Sequence, residues 1–287
     1  TNKNGRVKRH YIISEDGINL AVFEAGPAEA PALVLIHGWS QHHLSWSRQM
    51  PLAEQFRLIV PDLRGHGASE KPLDAGAYNA SGPWAGDIKA ILDHFELSKP
   101  ILVGWFMGGW VVLAYLRTHG HERLSGVVQI GTSVTTGRHI QPGVLEYRNS
   151  DPDLVAKGMY SEDHAENLNA TARFVRACFY KQPAPDDYAR MVGFNMMVPP
   201  VARKAARRRH EDYRDTAAAT TVPVMVHWGR HDRLAPDAMG EESAKYFPNA
   251  SRLIYEDCGH APFWEDAPRF NADLAVFANR CVRGEAA

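Results

Sequence analysis

The residues that could carry chemistry fall in three short motifs: Gly104-Trp105-Phe106-Met107-Gly108-Gly109, Gly229-Arg230-His231-Asp232 and Cys258-Gly259-His260. In the first, glycines stand two positions either side of Phe106. Glycines so placed allow a strand to reverse sharply into a helix. His260 is a candidate general base, because an imidazole titrates near neutral pH. An isolated histidine is more often a hydrogen-bonded core residue. His260 follows the short strand Arg252–Tyr255 and precedes Ala261-Pro262-Phe263-Trp264-Glu265. Asp232 could orient that imidazole and stabilise its cation, or it could cap the helix that follows. His231 reads as incidental. Phe106 has no nucleophilic atom and no proton to give, so no acyl-enzyme can form on it.

Other chemistries find little support. No HExxH motif of a zinc helix occurs among the 14 histidines, so no metal site is expected. His42 and His43, adjacent in the chain, are expected to point different ways and to chelate poorly. Neither GxGxxG nor GxxxxGK[ST] occurs, so no nucleotide and no cofactor is expected. The net charge of −1 argues against nucleic acid or an anionic membrane as partner. Cys178, Cys258 and Cys281 offer neither a disulfide framework nor a CxxC pair. No apolar run approaches the ~20 residues of a membrane span, and Thr1–His10 is polar and basic, unlike a signal peptide. A cytoplasmic protein is the expectation.

The motifs need elements to position them. Arg9–Ser14 and Ile18–Glu24 flank Glu15-Asp16-Gly17 and read as a hairpin. The continuously apolar run Ala32–Ile36 reads as a strand buried on both faces, and similar short runs recur at Leu58–Val60, Ile101–Val103, Val127–Ile130 and Val222–Val226. Trp84–Phe95, Met107–Leu116 and Asp237–Phe247 carry one-sided helical stripes. Strands alternating with helices predict an α/β fold with a mostly parallel central sheet and helices on both faces. From 134 to 219 there is no buried-strand run, only helical patterns broken by prolines. This predicts a core of 1–133 and 220–287 carrying a helical cap. The cap's basic run, Arg203-Lys204 and Arg207-Arg208-Arg209, is read as a solvated helix face in preference to an anion-binding patch.

Every chemical motif sits at a strand end, where open α/β sheets place their ligands. His37-Gly38-Trp39 follows Ile36, and Asp62-Leu63-Arg64-Gly65-His66-Gly67-Ala68-Ser69 follows the next strand. Together with the elbow at 104–109, Asp232 and His260, this set resembles the α/β-hydrolase superfamily over essentially the whole chain, including its order of elbow, then Asp, then His. The resemblance implies an α/β-hydrolase fold with Phe106 in the nucleophile position, His260 and Asp232 as its partners, and the backbone N–H groups of Trp39 and Met107 as an oxyanion hole. A bulky residue at a strained elbow should cost about 1–3 kcal/mol. Either Phe106 replaces an original serine, or it is native to a protein whose chemistry needs no nucleophile.

By this resemblance the scaffold is that of a carboxylic ester or lactone hydrolase, similar to the esterase, enol-lactonase and cofactor-free haloperoxidase group. An alternative is the cofactor-free quinolone dioxygenases, which His37-Gly38-Trp39-Ser40-Gln41-His42-His43 and Gly108-Gly109-Trp110 also resemble. There a His–Asp dyad abstracts a substrate proton and no acyl-enzyme forms. A silent ligand-binding member is the third reading. The expected pocket has an aromatic floor of Trp39, Trp105 and Phe106, with Trp264 on a wall and a roof from 134–219. Roof candidates are Met159, Tyr160, Phe174, Phe179, Phe194, Met196 and Met197. His37 lies beside this pocket, its ring expected to bond backbone near the oxyanion loop; His66 is expected to organise its own loop. The implied partner is a small apolar or aromatic substrate.

Overall fold

The structure is a computed structural model that describes residues 7–151, 154 and 156–285. The run Ala32–Ile36 forms strand β3, buried along its whole length as a strand covered on both faces must be. The hairpin is present as β1 (Lys8–Ile13) and β2 (Asn19–Ala25). The remaining runs become β4 (Arg57–Pro61), β5 (Ile101–Trp105), β6 (Gly126–Ile130), β7 (Val224–Gly229) and β8 (Ala250–Tyr255). All eight share one sheet in the order β1-β2-β4-β3-β5-β6-β7-β8. β2 is antiparallel to both of its neighbours, and every other pairing is parallel.

Helix α1 (Ser81–His94) buries Trp84, Ile88, Ile91 and Leu92, the stripe read from sequence. Helix α2 (Met107–His119) follows β5 directly and is buried from Met107 to Leu116. Between β6 and β7 the regular elements among the described residues are helical, apart from one isolated bridge: α3 (Pro142–Asn149), α4 (His164–Ala177), α5 (Pro185–Met196), α6 (Pro200–Arg207) and α7 (Arg214–Ala219). Pro142, Pro185 and Pro200 each open a helix, where a missing N–H leaves no bond unmade. α8 (Asp237–Tyr246), α9 (Pro262–Glu265) and α10 (Ala267–Val282) complete the chain. None of these helices is long and apolar enough to cross a membrane.

The helical segment is tied at its base. Thr136 N donates to Glu211 O and Tyr213 N to Val134 O, each at 2.8 Å. α7 lies on the core side of this stem and packs on α2 and α8. The basic run departs from its expected solvated face. Lys204 and Arg208 are exposed, but Arg203, on the inner face of α6, and Arg209, past the helix end and 3.6 Å over the Trp84 ring, are buried.

One buried ion pair anchors the loop after β4. Arg64 makes a two-pronged contact with Asp87 of α1, 2.7 Å for each bond, and a second with Asp16 of the hairpin turn at 2.7 and 3.0 Å. Arg64 and Asp87 are each about 1% exposed. Removing one partner of such a pair leaves an uncompensated buried charge. Arg64→Met should therefore lose about 3–5 kcal/mol of stability, whereas Lys89→Ala, which breaks an exposed pair with Asp93, should lose less than about 1 kcal/mol. Urea unfolding of the two variants measures both, and comparable losses would contradict the anchoring role.

Candidate active site

The sharp turn between β5 and α2 is present, with Phe106 at φ 48° and ψ −105°. Its glycines are required by space. A Cβ on Gly104 would lie 2.5 Å from Gly109 N, and one on Gly108 would lie 2.2 Å from Ile36 O. Phe106 N donates to Ile130 O at 2.8 Å, and Thr132 Oγ1 donates to Phe106 O at 3.1 Å, so β6 and the loop after it hold the elbow. The Phe106 ring is buried, packed at 4.8 Å from Trp110 and edge-on to His260 at 4.9 Å.

His260 and Asp232 meet as expected: Nδ1 and Oδ2 are 2.7 Å apart, and both side chains are buried. The alternative capping role of Asp232 is also real. Its Oδ1 accepts the N–H groups of Leu234 and Ala235 at 2.8 and 2.9 Å, capping the turn before α8 while the other oxygen holds the histidine. Two amide bonds and the imidazole leave that carboxylate one orientation. The backbone of His260 is pinned on both sides, its N–H to Cys178 O at 3.0 Å and its carbonyl to the Trp105 indole at 2.9 Å. With Nδ1–H given to Asp232, Nε2 carries the lone pair. It is buried and has no hydrogen-bond partner.

Neighbouring strands bring the loops that carry Trp39 and Met107 to one end of the sheet, since Ile36 of β3 pairs with Gly104 of β5. Met107 is the first residue of α2, where a helix leaves its N–H without an intrahelical acceptor. The Trp39 indole donates to Arg203 O at 3.1 Å, and its ring meets Phe174 and Tyr160 edge-on. Trp105 is buried against Phe263. Trp264 lies under the Arg48 guanidinium, 4.2 Å from the ring. His37 spends both ring nitrogens on backbone: Nδ1 meets Gly38 O at 2.9 Å and Nε2 accepts Leu63 N at 3.0 Å. Burial lowers its pKa to about 3, so it stays neutral as a bolt between the loops after β3 and β4. His66 does the same work with Arg64 O and Ser40 N.

The expectation that His42 and His43 diverge is wrong. His42 caps the 3-10 helix His43–Glu54 from an extended conformation, which folds its ring back to 4.1 Å from that of His43. Both face Asp62, with His43 Nδ1 at 2.9 Å and His42 Nε2 at 3.9 Å. Burial pushes the Asp62 carboxyl up, but the His43 hydrogen bond and the surrounding imidazoles outweigh it and hold the group ionised. The trio is close enough to hold a metal ion. However, His42 Nδ1 already accepts the Leu44 N–H, which places the proton on Nε2 and removes the lone pair a metal would need.

Over the site, the roof residues Met159, Phe174, Phe179 and Phe194 are buried and Met197 is exposed. Phe174 and Tyr160 pack directly on Trp39, and neither of two cavities reaches Phe106. The larger, about 910 Å³, lies at the opposite, amino-terminal ends of the strands, beside Pro31, Pro100 and Pro223. Sequence reasoning gave Glu265 no role, yet its carboxylate accepts the amides of Gly259, Tyr180 and Lys181 at 2.7–2.9 Å. It thereby staples the His260 loop to the segment after α4. Its place five residues after His260 was the available signal.

Residues 31–267 match the family described as alpha/beta hydrolase fold. The chain is 27% identical over 278 residues to AB hydrolase superfamily protein YisY of Bacillus subtilis (strain 168), covering 94% of this chain and 99% of that protein. The crystal structure of an esterase, RhEst1, from Rhodococcus sp. ECU1013 matches with a TM-score of 0.86 at 28% identity, over 94% of this chain and 98% of that one. That of the enol-lactonase from Burkholderia xenovorans LB400 matches with a TM-score of 0.76 at 23% identity, over 94% of this chain and 100% of that one, a likeness of fold.

Two outcomes follow from this geometry. Gly108→Ala must displace backbone and should cost more than about 2 kcal/mol, while Gly86→Ala, with open space around its Cβ, should be neutral or stabilising by up to about 1 kcal/mol; thermal melts compare them. Burial raises the Glu265 pKa from 4.5 to about 7, against the lowering effect of the backbone amides. The folded state then holds this proton more tightly than the unfolded one, so this group makes stability fall as pH rises from about 4.5 to 7. Glu265→Gln should flatten that fall, and an unchanged slope would show that Glu265 does not titrate there.

Proposed function

The chain belongs to the α/β-hydrolase fold family, and we propose that it is an ester- or lactone-hydrolase scaffold for an apolar or aromatic substrate, with its nucleophile withheld. The observation that carries this reading is a strained elbow at φ 48° and a His260–Asp232 contact of 2.7 Å, both kept around a residue that cannot attack. In acyl-enzyme chemistry the elbow residue attacks a carbonyl, an imidazole shuttles the proton, and two amides hold the oxyanion. His260 with Asp232, and the amides of Trp39 and Met107, stand in those roles. Trp105 and Trp264 supply apolar walls, and α3–α6 act as the cap. As it stands, the protein binds such a substrate without acylating.

One observation favours a second reading. The dyad is complete without a nucleophile, and its free Nε2 could take a proton directly from an aromatic carbon acid, as in cofactor-free dioxygenation.

Phe106→Ser should raise p-nitrophenyl ester turnover at least about a hundredfold over the Phe form and should become labelled by a fluorophosphonate. A Ser form that is neither faster nor labelled would overturn the hydrolase reading. Oxygen uptake by the Phe106 form with a hydroxyquinolone would establish the second.

A further inference from the structure

The helix α6 turns two cations towards the Trp39 loop, and among the described residues neither pairs with a carboxylate. Arg203 and Arg207 lie one turn apart, so they share a helix face. Arg203 accepts the Trp39 indole N–H on its carbonyl, and the Arg207 guanidinium stands 5.1 Å over the Trp39 ring. Arg203 is about 1% exposed. Its Nη1 donates to Met159 O, Asn167 Oδ1 and Thr171 Oγ1, and its Nη2 donates to Asn195 O. All four acceptors are neutral. Its Nε is buried with no partner, and so is the nearby Asn195 Oδ1. The charges acting on Arg203 include Tyr160, which also hydrogen-bonds Arg207, but no Asp or Glu among the described residues.

Burying an uncompensated cation is costly, and a fold can remove that cost by placing a carboxylate or an apolar residue there. Here burial instead drives the Arg203 pKa down to about 10. That is still far above neutral pH, so the charge is present and lacks a counter-ion. The position is also specific. Arg203 bonds Trp39, whose amide has the oxyanion role proposed above, and half-buried Arg207 lies over the same indole ring.

We propose that Arg203 and Arg207 recognise a carboxylate carried by the substrate, held beside Trp39 while its apolar part lies against Tyr160 and Phe174. The protein would then select acidic aryl or alkyl esters over neutral ones. This rests on reading the Trp39–Phe106–His260 region as a substrate site, but not on any chemistry occurring there.

Binding to the Phe106 protein itself tests it, by calorimetric titration at low salt with phenylacetate and with its neutral counterpart phenylacetamide. Phenylacetate should bind at least about tenfold more tightly. Arg207→Gln, a change at a half-exposed position that should leave the fold intact by circular dichroism, should erase the difference. Lys204→Gln, an exposed cation on the other face of α6, should preserve it. Equal affinities for the two probes, no saturable binding of phenylacetate, or equal loss in the Lys204 and Arg207 variants would each overturn the proposal. A hydrolase reading that fails on Phe106→Ser leaves this result standing, and the reverse also holds.

Discussion

At Phe106 the backbone turns through φ 48° and ψ −105°, a region that residues with a Cβ avoid, and the geometry around His260 depends on that turn being held. Holding it costs about 1–3 kcal/mol. The surroundings leave no alternative, since β6 takes the Phe106 N–H and Thr132 bonds its carbonyl. On the other side, the glycines let α2 press against β3. The turn delivers Met107 N–H to the sheet edge as the first amide of a helix. A serine here would present a hydroxyl to His260. Phenylalanine presents a buried ring, which offsets strain by packing on Trp110.

The loops around the elbow are held by imidazoles that do no chemistry. His37 bolts the loop after β3 to Leu63, and His66 bolts the loop after β4 to Ser40. Burial keeps both neutral at ordinary pH, with pKa values lowered to about 3 and about 4. Neutral rings can accept backbone N–H bonds, whereas charged ones could not. Asp62 adds an ionised anchor beneath them, taking the His43 and Ala68 amides. The Trp39 loop is therefore rigid on its core side, and its freedom lies towards α4–α6.

On that outer side the contacts are aromatic and cationic. Phe174 and Tyr160 close on Trp39, and Arg203 threads through α4, α5 and the turn at Met159. Glu265 and the His260 N–H fasten the segment after α4 to the histidine loop. The helical segment thus touches the groups around the elbow directly. Any movement of this segment must break contacts with the Trp39 loop, which couples its position to the geometry around the elbow.

Much of this was legible in the residues alone. Apolar runs located β3 to their ends and most other strands to within a few residues, because burial on both faces is a local pattern. Glycine spacing marked the elbow, and the Asp232–His260 pairing followed from motif order. Local pattern failed where partners are distant. His42 and His43 converge because both face Asp62, brought beside them from the loop after β4. Asp232 proves to be cap and histidine partner at once, since a carboxylate has two oxygens to share. The basic run splits into exposed and buried cations according to what α6 packs on. The sequence by itself determined which elements form and which residues stand at strand ends, since periodicity and turn chemistry act over a few residues. Only the tertiary structure decided which polar atoms end without partners, such as His260 Nε2 and Arg203 Nε. That outcome depends on contacts like Trp39 to Arg203, between residues 164 apart in the chain.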